Sequence, residues 1–345
     1  FLFSVLIIIS SLFSSSQIYS LKSSLFYFRF LLFSLGIYYL LIKNPKLIKQ
    51  FFYSGLLACV ILFIDSIFQF FYGFNLIGFE KHVNRISSFF GDELILGSYI
   101  SKLIGIYIVC FLIIEKNIRF KQSNFTILIF TCCLLMYFSA ERVAIIKFII
   151  LMFFILIYLQ DFRKLLVKIF FLILIIILLT LIIDFSYFYR IFYHSYLQLT
   201  GEYFMREHSV LIMKTIDMFY DSPILGIGPN MFRILCPEYN VGINDYCTTH
   251  PHSIYFQLLA ETGLLGFTFI TTIFISLIYY IYKSSIFNLN KNQKIYLNTK
   301  NILMIIILIN IIPLFPSGNF FGSYINIYFY LPLGFYFYSE YKFYN

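Results

Sequence analysis

Apolar runs about as long as a bilayer is thick recur along the whole chain, and no soluble fold has a place for them. From Phe170 to Ile183 every residue but Thr180 is apolar. A helix needs about 20 such residues to cross the hydrocarbon layer, where only helices and closed barrels satisfy their own backbone. A β-barrel requires short alternating segments, which this run contradicts. Hydrophobic residues make up 61% of the sequence and charged residues 12%, the balance of a membrane protein. The expected fold is all-α: a polytopic transmembrane helical bundle, one integral membrane domain over 1–345. About ten spans are expected, near 1–18, 24–42, 51–71, 94–114, 124–138, 143–159, 166–185, 254–282, 301–317 and 322–340. The opening Phe1–Phe13 lacks the charged n-region and cleavage site of a signal peptide and is taken as a first span, shortened at its start.

The net charge of +9 would point to nucleic acid in a soluble domain, but its distribution gives it another meaning. Lys43, Lys46 and Lys49; Lys116, Arg119 and Lys121; Arg163, Lys164 and Lys168; and Lys283, Lys291, Lys294 and Lys300 all fall on one side of a ten-span topology. By the positive-inside rule that side is cytoplasmic. The opposite side receives 72–93, the tight turn Ser139–Arg142 and the long segment 184–253. That last segment exceeds a plain connection and is expected to form a functional cap. Within it, Val210, Met213, Ile216 or Asp217, and Tyr220 recur at helical spacing, the pattern of an amphipathic helix at the interface. No repeat, low-complexity linker or soluble domain interrupts the chain.

Cys59, Cys110, Cys132 and Cys133 fall in spans, as small core residues do. Cys236 and Cys247 lie in the external segment, where an oxidising compartment permits a disulfide whose geometry sequence cannot fix.

The polar residues converge on Thr249–Phe267, THPHSIYFQLLAETGLLGF. Pro251 disfavours helix before it and Ser253 is a good N-cap, so His252 is expected at the mouth of the following span. There the positive helix end disfavours imidazolium, and a neutral imidazole is a competent general base for a hydroxyl. A purely structural polar cap fits His250 and His252 equally well, and two histidines alone make a weak metal site. Arg142 and Arg206 carry permanent charge and forked donors suited to phosphate oxygens, although a lone membrane arginine more often snorkels. Asp221-Ser222-Pro223 and Gly226–Phe232 are turn chemistry, with glycines that also let backbone N–H groups approach an anion. Glu261, two turns beyond His252, is a buried carboxylate that either meets a histidine or arginine or caps a neighbouring helix. Asp65, Lys102 and Lys147 are intramembrane charges, each a functional hypothesis by default, with an Asp65–Lys102 pair among the options.

The order Arg206, amphipathic helix, DSPILGIGPNMF, HPHSIYFQLLAETGLLGF resembles the O-antigen ligase and O-antigen polymerase superfamily of bacterial membrane proteins with a large periplasmic loop. RISSFFGDELILGSYI (Arg85–Ile100) and SAER (Ser139–Arg142) resemble its earlier segments more loosely. The resemblance implies a metal-independent, inverting glycosyl transfer without cofactor, from an undecaprenyl-pyrophosphate-linked glycan, in the bacterial inner membrane with the site facing the periplasm. It implies His252 as catalytic residue and Arg142 and Arg206 on the pyrophosphate; His250, Glu261 and Arg85 are candidate supporting residues beside them. Three departures stand out: Glu141 beside Arg142, Ser253 where Asn is usual, and ten spans where about a dozen are expected.

The expected activity is ligation of O-antigen onto lipid A-core in lipopolysaccharide biosynthesis. A polymerase acting on a second lipid-linked repeat, or a protein O-oligosaccharyltransferase, would carry the same motifs. A transporter is the alternative of another class. It draws support from Asp65, Lys102 and Lys147, but the sequence shows no repeated halves and no pair of Gly/Pro-broken helices.

Overall fold

The structure is a computed structural model that describes residues 1–82, 85–114, 118–183, 185, 189–193, 196, 206–240, 246–284, 291–313 and 315–344; the side chains of 118–121, 183, 206–207 and 291–294 lie outside the description. Among the described residues there is no β-strand, only two isolated bridges. The helices are α1 (Leu2–Leu12), α2 (Gln17–Ser24), α3 (Arg29–Lys43), α4 (Lys46–Tyr72), α5 (Leu96–Ile114), α6 (Ile118–Ser139), α7 (Arg142–Tyr158), α8 (Arg163–Ile183), α9 (Arg206–Asp221), α10 (Phe232–Leu235), α11 (Ile254–Ser284), α12 (Lys291–Asn310) and α13 (Ser323–Tyr344). All ten expected spans contain helix.

Six segments are long and apolar enough to cross a membrane: Gln17–Lys43, Lys46–Tyr72, Leu96–Ile114, Gln122–Ser139, Gln160–Ile182 and Ile254–Ser284. The first expected span is shorter in helix than a full crossing needs. It holds α1, an apolar helix of 11 residues, about 16 Å long, packed against α2. The ninth also shifts, since α12 ends at Asn310 and only its Ile295–Asn310 part is apolar. Of the basic loop residues, Lys116 and the side chains of Arg119, Lys121, Lys291 and Lys294 lie outside the described residues.

The chain divides into two compact units. The first comprises Phe1–Tyr38, Tyr203–Asn288 and Asn310–Phe337; the second comprises Tyr39–Glu202, Leu289–Ile309 and Tyr338–Asn345.

In the first unit α11 packs against α1 and α9. An aromatic core of Phe3, Tyr27, Phe30, Tyr255, Phe320 and Phe321 lies beneath it. α11 is broken at Gly263, whose φ of 62° and ψ of −161° are not helical. In an unbroken helix the Leu264 N–H would bond to the Ala260 carbonyl. It bonds instead to the Pro223 carbonyl (2.9 Å), and the freed carbonyls of Ala260 and Glu261 accept from Ile227 N–H (2.9 Å) and Gly228 N–H (3.0 Å). The turn sequence after Asp221 is thus a backbone plug in a helix break, taking up the Leu264 N–H and the Ala260 and Glu261 carbonyls. Two glycines allow the approach: a Cβ on Gly226 would lie 2.3 Å from Thr262 N, and one on Gly263 2.3 Å from Ile224 O. Ser10 and Ser20 fasten the N-terminal hairpin to the same loop through the carbonyls of Leu225 (2.7 Å) and Pro229 (3.1 Å).

In the second unit α5 and α6 form the centre, buried along most of their length, with α4, α7 and α8 around them. Buried Asp65 on α4 accepts from Leu76 N–H (2.9 Å) and from the Ser88 hydroxyl (2.5 Å). Gln69 and Asn75 bind the same loop. Asp65 therefore folds the connection onto the end of α4 and does not pair with Lys102.

Gly263→Ala should lower the midpoint of thermal unfolding in detergent by the equivalent of about 1–3 kcal/mol, the usual cost of strained backbone. Gly36→Ala, in α3 with open space around its Cβ, should leave it unchanged or slightly higher.

Candidate functional site

The Thr249–Ser253 segment runs into α11, where the Ser253 carbonyl accepts the Gln257 N–H at 2.8 Å. His252 sits just before the first turn, as expected, in the left-handed region at φ 55°. That conformation is costly for a residue with a side chain and is kept where surroundings enforce it. One enforcing bond is visible: Ser317 N–H donates to the His252 carbonyl at 2.9 Å.

His250 and His252 divide sharply in their bonding. His250 Nε2 faces the Ser317 carbonyl at 3.2 Å, and a carbonyl only accepts, so Nε2 carries the proton. Its Nδ1 then accepts from the Thr249 hydroxyl at 3.0 Å. Both nitrogens are engaged, and His250 is fixed as a neutral ring. Burial, then the neighbouring His252, push its pKa down to about 4, with Arg233 adding to the effect and the Ser317 bond opposing it. The His252 ring has no hydrogen-bond partner among the described residues. It lies against His250 (ring centroids 4.2 Å apart) and edge-on to His208 (5.3 Å). Burial, then the charge of His208, hold its pKa below the ordinary 6.5. Near neutral pH His252 is therefore an unprotonated base with free nitrogens.

His208 escaped the sequence reading. Its only signal was a histidine in the first turn of the amphipathic helix, in a chain with five histidines. The structure shows which face of that helix packs inward. Leu211, Lys214, Thr215 and Met218 are buried, whereas Met213 and Tyr220 are exposed. A lysine enters the buried stripe because its ammonium donates to the Cys236 carbonyl (3.0 Å) and contacts Cys247 Sγ (3.1 Å). Cys236 and Cys247 form a disulfide, with Cα atoms 5.9 Å apart.

Glu261 has the structural role, capping a neighbouring helix. Its carboxylate accepts from Phe232 N–H at the start of α10 (2.9 Å) and from the Gln257 amide (2.9 Å). Gln257 continues to Asn319 and Phe320, and Asn319 to Asn230. None of these three polar residues was singled out from sequence, because an amide in a span declares itself only through its partners. The glycine-rich loop does meet an anion, but it is the protein's own Glu261, so an anion-binding role for that loop is withdrawn. The Ala260 and Glu261 carbonyls at the α11 break likewise accept from Ile227 N–H and Gly228 N–H.

In the second unit the two looser motifs meet. Arg85 donates from Nη2 to the Leu94 carbonyl (2.6 Å) and from Nε to the Ser139 carbonyl (3.3 Å), and pairs with Glu141 at 3.5 Å. The Glu141 carboxylate also accepts from Gly97 N–H (2.8 Å) and Ser98 N–H (3.1 Å), capping α5. Burial raises its pKa, against the opposing pull of Arg85 and those two bonds. Glu141 is thus occupied by α5 and Arg85. Arg142 opens α7; Arg206 opens α9, with its side chain outside the described residues. Among the described residues no group of three or more His, Cys, Asp or Glu side chains is placed to hold a metal.

Residues 127–271, about two fifths of the chain, match the family model described as O-antigen ligase. The matched stretch contains Glu141, Arg142, α9, both histidines and Glu261. No curated protein matches the chain significantly.

Glu261→Ala should strand the Phe232 N–H and cost about 1–3 kcal/mol in unfolding experiments, the penalty of an unsatisfied buried donor. Glu261→Gln, which keeps an acceptor, should cost clearly less.

Proposed function

We propose that this chain, which belongs through residues 127–271 to the O-antigen ligase and polymerase superfamily, is a ligase that moves a glycan from undecaprenyl pyrophosphate to lipid A-core at the periplasmic face of the inner membrane. The observation that carries the reading is His252: a neutral imidazole with unengaged nitrogens, in a strained conformation, beside a histidine whose nitrogens are both taken.

The chemistry is a single displacement. The acceptor hydroxyl oxygen bonds to the anomeric carbon as the bond from that carbon to the pyrophosphate oxygen breaks, with inversion. His252 takes the hydroxyl proton. The departing pyrophosphate gains charge, and the resemblance puts Arg142 and Arg206 against it, permanent cations of the kind that favour a transition state rich in negative charge. Neither a metal nor a covalent enzyme intermediate is required. Holding His250 rigid and neutral keeps a second positive charge away from the base.

His252→Ala should reduce transfer by about 10²–10⁴-fold, the usual contribution of a general base, with little change in thermal stability. Because the neutral ring is the active form and its pKa is held below 6.5, the acid limb of the pH–rate profile should lie below that value. His208→Gln removes the neighbouring charge and should move the limb to higher pH.

The substrate assignment is tested on surface lipopolysaccharide and carrier-linked glycan from a strain lacking the protein. The expected result is bare lipid A-core with long glycan left on the carrier. A core bearing a single repeat would make the protein a polymerase, and loss of protein glycans alone a protein oligosaccharyltransferase. An unchanged profile of all three would reject the reading and return attention to transport.

A further inference from the structure

The connection that leaves α4 is a turn made of residues that avoid water. Turns at an aqueous surface draw on Gly, Pro, Asn, Asp and Ser, yet Phe70 to Phe79 reads FFYGFNLIGF. Apart from the Tyr72 hydroxyl its one polar side chain, Asn75, is buried, whereas Phe71, Phe74, Leu76, Ile77 and Phe79 are exposed. The Gly78 N–H donates to the Asn75 carbonyl at 3.0 Å, so Leu76 and Ile77 form the tip of the turn, with relative exposures of 56% and 63%.

The backbone donors of this turn are served from within the protein. Asn75 N–H and Lys81 N–H donate to the carbonyls of Phe79 (2.9 Å) and Gly73 (2.7 Å), and Gly73 N–H to that of Gln69 (3.1 Å). The Asp65 carboxylate takes Leu76 N–H (2.9 Å), and the Asn75 side-chain oxygen takes Ile77 N–H (3.1 Å) and Phe79 N–H (2.8 Å). Water would serve such donors at an aqueous surface without two buried polar side chains. A turn that leaves water needs them, because an unpaired N–H there is heavily penalised.

The surface that the turn extends is a lipid surface. α4 is long and apolar enough to cross a membrane, and Leu57, Ile61, Ile64, Phe68 and Phe71 recur at spacings of three and four, on one face. The Phe68 ring stacks on Tyr72 (centroids 4.5 Å apart) and meets Phe74 edge-on (5.7 Å), which carries that face into the turn. Glu80 and Lys81 follow the apolar run directly, with the Lys81 ammonium 5.3 Å from the Phe70 ring centroid. Charges in that position sit at headgroup level.

We propose that the 73–79 turn is a lipid wedge, inserting Leu76 and Ile77 among the acyl chains of the leaflet at the end of α4, the leaflet opposite the cytoplasm in the expected topology. Non-helical backbone is excluded from the middle of the bilayer, so the insertion is shallow, about 5–10 Å into the headgroup and acyl boundary as for other interfacial segments. The Asn75 amide donates to the Ser88 carbonyl (2.8 Å) and Ser88 N–H to Gln69 (2.8 Å). Insertion therefore also sets the height of the segment that carries Arg85 against the membrane surface. The wedge stands independently of the functional reading above.

The chain contains no tryptophan, so a single introduced indole reports alone. Leu76→Trp and Ile77→Trp are prepared as the full chain in phosphatidylcholine nanodiscs, with Asp92→Trp, an exposed position in the same external segment, as the aqueous reference. Both turn variants should emit to the blue of the reference, lose most of their intensity when the lipids carry bromine in the upper acyl chain, and resist iodide. Emission at the reference wavelength with iodide quenching at both positions would place the turn in water and overturn the proposal. Blue-shifted emission that answers to neither quencher would mean that protein covers the turn, as between two copies of the chain, and would overturn it equally. Bromolipid quenching abolished by a small admixture of a long-chain polyprenyl phosphate would give the surface to a polyprenyl tail and overturn bulk lipid as its occupant.

Discussion

Inside a bilayer a helix that stops midway leaves carbonyls and N–H groups with no water to turn to, and the first unit is built around solving that at Gly263. The break re-routes the Leu264 N–H to Pro223 and hands the Ala260 and Glu261 carbonyls to Ile227 and Gly228. The backbone is therefore satisfied only when the loop after α9 is seated in α11. That seating fixes α10, gives the Glu261 carboxylate its partner at Phe232, and anchors the N-terminal hairpin through Ser10 and Ser20. Nine residues before Glu261, His252 is presented at the mouth of a half-helix whose position is set by the plug.

The second unit uses a carboxylate for a comparable purpose. Glu141 caps α5, and with Arg85 it ties the 85–98 segment to the end of α6. Arg142 follows directly, so the residue that the family resemblance puts on phosphate is carried by a turn whose geometry is set by its neighbours. The charges of Glu141 and Arg85 are thus used structurally.

The ten apolar stretches, the placement of His252 ahead of a helix and the location of the arginines were legible because each depends on residue type and short-range spacing. The buried stripe of α9 was not legible for a physical reason. Lys214 belongs to it because the Cys236 carbonyl and the disulfide receive its ammonium, partners that lie elsewhere in the chain. The glycine-rich loop was recognised as a turn, but its N–H groups serve the broken helix and Glu261. His208 was passed over because an isolated polar residue has no pattern to betray it.

The sequence by itself determined that this chain is a helical membrane protein, that its polar chemistry is concentrated in a few segments, and which residue types are available there. Those follow from hydrophobic length and local periodicity. Only the tertiary structure decided which of those polar groups are engaged and by what, separating His250 from His252 and tying Glu141 to Arg85 and α5, because hydrogen bonds join residues far apart in the chain and no local spacing encodes them.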